Sequence, residues 1–275
     1  MNLTTKIEQV KDILSQLPNA LVAFSGGVDS TLALRLAMDY VPGPVLAVTA
    51  ASATYPPEEI DYARELAQTM GANWTLIHTC ELDNPQFSAN PPERCYHCKT
   101  ELFSQLRDLA KAQGITTIID GSNADDSGDF RPGSKAAAEF GVISPLKQAG
   151  FTKTEVRQLA KALDLASWDK PSMACLSSRF PYGFTITPER LQQVGRAEQF
   201  LKQKGLANVR VRHHDTIARI EVDVDQLPQL TQEPFRQELL VYLKELGFTY
   251  VTVDLQGFKS GSMNDVLTEE KALWT

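Results

Sequence analysis

Leu21-Val22-Ala23-Phe24-Ser25-Gly26-Gly27-Val28-Asp29-Ser30-Thr31 is the stretch on which the reading of this chain turns. Four apolar residues read as a buried strand, two glycines as a turn, and the run from Ser30 through Leu32, Ala33 and Leu34 as a helix that opens at once. Such a turn brings successive backbone N–H groups, with the hydroxyls of Ser25, Ser30 and Thr31, to a helix N-terminus. Partial positive charge and unpaired donors there favour an anion. Gly26 and Gly27 let the main chain approach a phosphate without an intervening Cβ. No lysine follows the glycines, so the stretch is not a GxxxxGK[ST] loop and the usual grip on β- and γ-phosphates is missing from it. The competing reading is a glycine-rich turn that binds nothing.

Outward from this turn, strand and helix alternate as far as about residue 170. Apolar runs over 21–24, 45–49, 74–79 and 115–120 read as buried strands, and 30–40, 58–70 and 100–113 as helices between them. Gly71 and Gly114 sit where helices end. The order predicts an α/β fold, a parallel sheet with helices on both faces, whose ligands lie beyond the carboxyl ends of the strands. The glycine turn and Asp120-Gly121-Ser122-Asn123 both fall at that rim. An amphipathic helix is expected over 3–17, with Ile7, Val10, Ile13 and Leu14 on one side. A capping box at Thr152 and Glu155 opens another helix. Residues 171–186, rich in Pro, Ser and Gly and holding Cys175, read as a connecting loop. Thr187-Pro188 then opens a helix, followed by strands over 209–212 and 217–224, a helix over 235–246 and a strand over 250–255. The expected organisation is an α/β domain over 1–170, the connector 171–186, and a smaller α+β domain over 187–275.

The chain has 275 residues, 43% hydrophobic and 22% charged, with a net charge of −7. That is the balance of a globular protein with ample core, and it argues against a surface built for nucleic acid. The residues from Phe180 onward carry 11 Lys and Arg against 13 Asp and Glu, so no basic recognition tail is attached. No stretch has membrane-spanning length and no signal segment is evident at the amino end, so a cytoplasmic protein without membrane association is expected. In a reducing compartment, Cys80, Cys95, Cys98 and Cys175 point to metal or catalytic roles more than to disulfides.

Three constellations carry chemistry. Gly121, Asn123, Asp125 and Asp126 follow a strand; their backbone would line a nucleotide, and Asp125 and Asp126, with Asp29, would hold Mg²⁺ against phosphates. A solvated acidic turn is the alternative. Cys95 and Cys98 form a C-x-x-C pair flanked by Arg94 and Lys99, which favour thiolates. Three readings stay open: zinc completed by His97 or His78, a redox dithiol, although the pair does not open the N-terminal helix of a thioredoxin-like unit, or an iron–sulfur cluster shared with Cys175. Three thiolates would leave one iron of a [4Fe–4S] cube open for a transferable sulfide. Cys80 reads as a half-buried structural thiol. In Ala174-Cys175-Leu176-Ser177-Ser178-Arg179, a thiol capable of reaching an adenylated carbonyl lies four residues before an arginine that would hold its phosphate; a plain serine-rich linker is the alternative. Arg210 and Arg212 alternate on one strand face, as a phosphate clamp or as an exposed, solvated face. Glu198, Glu221 and Asp223 give only a weak metal signal.

Ser25-Gly26-Gly27-Val28-Asp29-Ser30 resembles the PP-loop of ATP pyrophosphatases, whose domain is of the adenine nucleotide alpha hydrolase-like kind. Together with Glu93-Arg94-Cys95-Tyr96-His97-Cys98-Lys99, Gly121–Asp126, Ala174–Arg179 and Arg210-Val211-Arg212, it resembles the LarE family over most of the chain. These are ATP-dependent sulfur insertases of nickel-pincer nucleotide synthesis, serving lactate racemase. The resemblance implies that ATP with Mg²⁺ adenylates a carboxylate of pyridinium-3,5-biscarboxylic acid mononucleotide, and that sulfur then displaces AMP. It implies nucleotide binding by Ser25, Gly26, Gly27, Asp29, Ser30, Gly121, Asn123 and Asp125, and substrate-phosphate binding by Arg210 and Arg212. Catalytic roles fall to Cys175, Ser178 and Arg179. Some members sacrifice the sulfur of the cysteine matching Cys175, leaving dehydroalanine; others bind a [4Fe–4S] cluster through three cysteines. With Cys95, Cys98 and Cys175 all present, the cluster type is expected, in a homo-oligomer that the resemblance makes a hexamer. A transfer-RNA thiolase and an amide-forming ATP-dependent ligase are the alternatives.

Overall fold

The structure, a computed structural model, describes residues 2–127, 132–171, 173–259 and 262. The chain separates into two compact units, Met1–Phe87 with Pro92–Met173, and Ser88–Pro91 with Ala174–Thr275. Residues 174–186, read from the sequence as part of a connector, cluster with the second unit.

In the first unit, α1 (Leu3–Ser15) is capped by Asn2, whose side chain accepts from the Thr5 amide at 2.9 Å. There follow β1 (Ala20–Ala23), α2 (Val28–Tyr40), β2 (Val45–Ala51), α3 (Pro57–Thr69), β3 (Asn73–His78), the single turn α4 (Pro85–Ser88), α5 (Arg94–Ala112), β4 (Ile118–Ile119), α6 (Gly133–Glu139), α7 (Pro145–Gln148) and α8 (Lys153–Ala162). The four strands run parallel in the order β3-β2-β1-β4. Side chains alternate across the sheet as a parallel strand buried on both faces requires. Ala20, Val22 and Ala47 pack with α1, α2, α3 and α8, while Leu21, Leu46, Val48 and Ile118 pack with Phe103, Leu106 and Ala110 of α5 and Ala136 of α6. The strand order reverses between β1 and β4, the place where doubly wound sheets open a crevice beyond the strand ends. The two turns singled out in the sequence follow these two strands.

Two boundaries in the first unit differ most from the sequence reading. The fourth strand was expected over 115–120, but only Ile118 and Ile119 pair with β1. Thr117 still accepts from the Leu21 amide of β1 at 2.8 Å, but the Ile115 amide closes the end of α5 on the Ala110 carbonyl at 2.8 Å, and the Thr116 amide donates to Asn19 Oδ1 at 2.8 Å. The third helix begins at Arg94 rather than Thr100, with Glu93 as the N-cap after Pro91-Pro92, so the cysteine pair lies on its first turns instead of in a loop.

In the second unit, α9 (Pro188–Gln203) is capped by Thr187 with proline at its first position. It is followed by β5 (Arg210–His214), β6 (Ile217–Glu221), α10 (Leu227–Thr231), α11 (Phe235–Glu245) and β7 (Tyr250–Val253). The sheet order is β5-β6-β7, antiparallel then parallel. Val211, Ala218 and Ile220 pack on Ala197 and Leu201 of α9 and on Leu239 and Leu243 of α11. The opposite face carries Arg210, Arg212, Arg219 and Glu221 by the period-two alternation. Among the described residues, no helix is long and apolar enough to cross a membrane.

Candidate active site

The glycine turn is held ready by its own hydroxyls. Ser30 Oγ accepts from the Ser25 amide at 3.2 Å, lies 3.1 Å from Ser25 Oγ and donates to the Gly27 carbonyl at 3.1 Å. Gly26 has φ +71° and packs against α3, where a Cβ would come within 3.1 Å of Ala63. Gly27 is the N-cap of α2 and has no side chain to satisfy the first-turn amides, which stay available to a ligand. The second turn packs directly on this helix head. A Cβ on Gly121 would lie 2.6 Å from the Ser30 nitrogen and 2.7 Å from the Asp29 carbonyl carbon, so only glycine fits. Buried Asn123 donates from Nδ2 to Asp29 Oδ1 at 3.0 Å, and Asp125 Oδ2 accepts from the Lys153 amide at 2.8 Å. Ser25, Gly26, Gly27, Asp29, Ser30, Gly121, Asn123 and Asp125 thus form one group at the sheet's reversal point.

Lys153 is a member of this group that the sequence reading missed. Its ammonium pairs with Asp29 Oδ2, from the first position of a helix whose start is fixed by the Thr152–Glu155 capping box. The capping box was legible, but nothing local indicated that its lysine would meet a residue 124 positions earlier.

Cys95 is exposed and Cys98 half-buried. Three residues apart on α5, they share a helix face. The Cys98 thiol donates to Glu81 Oε1 at 3.6 Å; that carboxylate is buried and also accepts from Thr79 Oγ1 at 3.1 Å. The pair opens α5, a helix that flanks an all-parallel sheet rather than belonging to a thioredoxin-like unit. Cys80, expected to be half-buried, is exposed, two residues beyond the end of β3. Among the described residues, no three His, Cys, Asp or Glu side chains gather as a metal-holding group.

In the second unit, Cys175 is half-buried and precedes a short 3₁₀ turn, Leu176–Arg179. Arg179, expected to hold an adenylate phosphate, is instead committed to this loop. It is fully buried; Nε and Nη2 each donate to the Glu198 carboxylate at 2.8 Å. Nη1 donates to the carbonyls of Ala174 and Cys175 at 3.0 and 3.1 Å and to Ser178 Oγ at 2.7 Å. Burial opposes the Glu198 charge, but Arg179 beside it holds the carboxyl below its ordinary range. Arg212 forms a second two-pronged pair, with Glu221 at 2.9 and 2.7 Å, and donates to the Ser178 carbonyl at 2.9 Å and to Ser262 Oγ at 2.9 Å. Glu198 and Glu221, a weak metal signal in the sequence, are therefore the arginines' partners.

Arg210 and Arg212 are buried, which removes the exposed-strand alternative. Burial, with Arg179 and Arg212 close by, lowers the Arg210 pKa to about 10. Its Nη1 donates to the Val209 carbonyl at 2.7 Å and its guanidinium lies 5.0 Å from the Phe258 ring centroid. Three buried guanidiniums, of Arg179, Arg210 and Arg212, thus face two buried carboxylates, and the cluster keeps a net positive charge. A buried cluster of that sign favours an anion beside it.

A strand, glycine turn and helix at the reversal point of an all-parallel sheet make the first unit an ATP-utilising PP-loop domain. Residues 7–127, which include both turns, match the asparagine synthase family. Over 97% of its length the chain is 41% identical to the pyridinium-3,5-bisthiocarboxylic acid mononucleotide synthase of Lactiplantibacillus plantarum, covering 96% of that protein. An uncharacterized Synechocystis protein is 46% identical over 97% of this chain and 100% of its own length. Another, from Methanocaldococcus jannaschii, is 28% identical over 87% and 90%. The chain belongs to the LarE family, that of the bisthiocarboxylic acid mononucleotide synthase.

Proposed function

We propose that this protein converts the carboxylates of pyridinium-3,5-biscarboxylic acid mononucleotide to thiocarboxylates at the expense of ATP. The observation that carries the reading is Gly121 seated on the head of α2, which unites the glycine turn and the Asn123–Asp125 turn in one nucleotide site. A carboxylate is a poor electrophile because its charge repels nucleophiles. Its oxygen attacks the α-phosphorus of ATP, pyrophosphate leaves, and the resulting acyl adenylate carries a good leaving group. The amides of Gly26, Gly27 and the first turn of α2 stabilise the departing pyrophosphate. Mg²⁺ fits this site as a passenger of the nucleotide, since it needs only one or two carboxylates besides phosphates and water; Asp29 and Asp125 supply them.

The substrate phosphate is assigned to Arg210 and Arg212, where positive charge exceeds negative. Sulfur attack on the acyl carbon then expels AMP. Cys175 serves this step as a ligand of a sulfur-supplying cluster or, in its place, as the donor itself; its backbone carbonyl is anchored by Arg179 at 3.1 Å and by the Ser178 amide at 3.0 Å. The family resemblance offers Cys95 and Cys98, on one face of α5, together with Cys175 as the ligands of a [4Fe–4S] cluster. Such a cluster, when bound, supplies the transferred sulfur without consuming the cysteine.

Anaerobically purified protein is expected to release pyrophosphate and AMP and to form thiocarboxylate, with about four irons and acid-labile sulfide per chain. Cys175→Ala abolishes thiocarboxylate formation. Full activity in that variant overturns the sulfur role and favours an amide-forming ligase. Zinc without sulfide rejects the cluster; dehydroalanine at position 175 after turnover then marks cysteine sacrifice instead.

A further inference from the structure

Two histidines follow Arg212 on β5, and the alternation of the strand sends them to opposite faces. His213 turns into the core, among Phe180, Phe184 and Phe248, with its Nε2 2.9 Å from Gln193 Oε1. His214 falls on the face of Arg210 and Arg212. It is half-buried, yet its Nε2 is shielded from solvent and meets no hydrogen-bond partner among the described residues. The charges around it are Arg212 on its own strand and, on β6, Arg219 and Glu221. Glu221 is already shared by Arg212, at 2.9 and 2.7 Å, and Arg219, at 3.2 Å. Burial and the two arginines hold the imidazole below its ordinary range, so the ring is neutral near pH 7.

The donors left on this face are few. Arg212 has five N–H groups, and it makes four bonds with them: two to Glu221, one to the Ser178 carbonyl and one to Ser262 Oγ. One N–H remains for a ligand, whereas a phosphate has three terminal oxygens. We infer that His214 is a further contact of the anion site at Arg210 and Arg212, donating from Nε2 to an oxygen of a phosphomonoester. It rests on the assignment of the substrate phosphate to that face. The imidazole adds a donor without adding charge, and the ligand oxygen gives a buried nitrogen the partner that the protein does not provide.

The probe is ribose 5-phosphate, which carries the phosphomonoester without the pyridinium ring. By calorimetry, His214→Leu, which keeps the bulk and removes the donor, should bind it about ten- to hundredfold more weakly. His214→Gln, whose amide nitrogen reaches the place of Nε2, should restore most of the affinity. A second measurement uses wild type alone. The His214 ring protons, assigned through its strand neighbours by NMR, should shift on adding ribose 5-phosphate, and their titration midpoint should move to higher pH because the bound anion favours imidazolium. A merely structural histidine would keep the same midpoint with and without the probe. Wild-type affinity in His214→Leu, or an unmoved His214 titration at saturating probe, overturns the inference. Failure of wild type itself to bind ribose 5-phosphate overturns the phosphate assignment instead.

Discussion

Gly27→Ala separates a glycine kept for folding from one kept for a ligand. Gly27 has φ −75° and ψ 158°, an ordinary extended conformation, and a Cβ there would meet only Ser25 Oγ, at 3.4 Å. Sterically, alanine fits. Alanine removes freedom from the unfolded chain, stabilising by about 0.4–1 kcal/mol. As an N-cap it is poorer than glycine by an amount of about the same size. These offset, so the net change in stability should stay within about 1 kcal/mol. The methyl group, however, stands where a phosphate oxygen would approach the first amides of α2. Loss of one charge-assisted hydrogen bond there is worth about 1.5–3 kcal/mol, or roughly a ten- to hundredfold rise in the dissociation constant for ATP. Gly121→Ala gives the contrast: its Cβ would meet main-chain atoms of Asp29 and Ser30 at 2.6–2.8 Å. The backbone must move, at a cost of about 1–3 kcal/mol. Urea unfolding and ATP titration on both variants give the answer. Wild-type ATP affinity in Gly27→Ala refutes the ligand argument, and a stability loss matching that of Gly121→Ala refutes the steric one.

Two further outcomes follow from the second unit. Arg179→Met and Glu198→Gln each leave a buried partner uncompensated and should cost about 3–5 kcal/mol in urea unfolding, with the double variant losing less than the two combined; single losses under about 1 kcal/mol would show that the pair is not holding the loop. His213 is packed among Phe180, Phe184 and Phe248, and burial, with Arg190 nearby, lowers its pKa to about 4. The unfolded chain takes up that proton first, so this contribution is whole above about pH 6.5 and shrinks toward pH 4, by at most about 1.4 kcal/mol per pH unit. His213→Leu should flatten that part of the pH–stability profile, and an unchanged acid slope would assign it to other groups.

The parts of this molecule legible in the sequence are those fixed over a few residues. The glycine turn, the Thr152–Glu155 capping box and the glycine ends of α3 and α5 each depend on neighbours in the chain, and the alternating apolar runs fixed the sheet type. The cysteine helix starts earlier than expected because Cys95-Tyr96-His97-Cys98 carries little apolar periodicity; its start follows two prolines, and its first residue, Arg94, is buried. What stayed hidden was pairing between distant charges. Arg179 and Glu198 are 19 residues apart, Arg212 and Glu221 nine, and Lys153 and Asp29 124. In sequence, each is an unassigned ion, free to be read as a phosphate clamp, a weak metal ligand or a solvated charge. Burial decides among these readings, because a charge taken from water must meet an opposite one. The same rule narrows where a ligand belongs. Arg179 and Arg212 each meet a carboxylate in a two-pronged pair, and Arg210 is buried among Arg179, Arg212, Glu198 and Glu221. Three guanidiniums against two carboxylates leave the cluster a surplus of positive charge, and that surplus is what an anion placed beside it would offset.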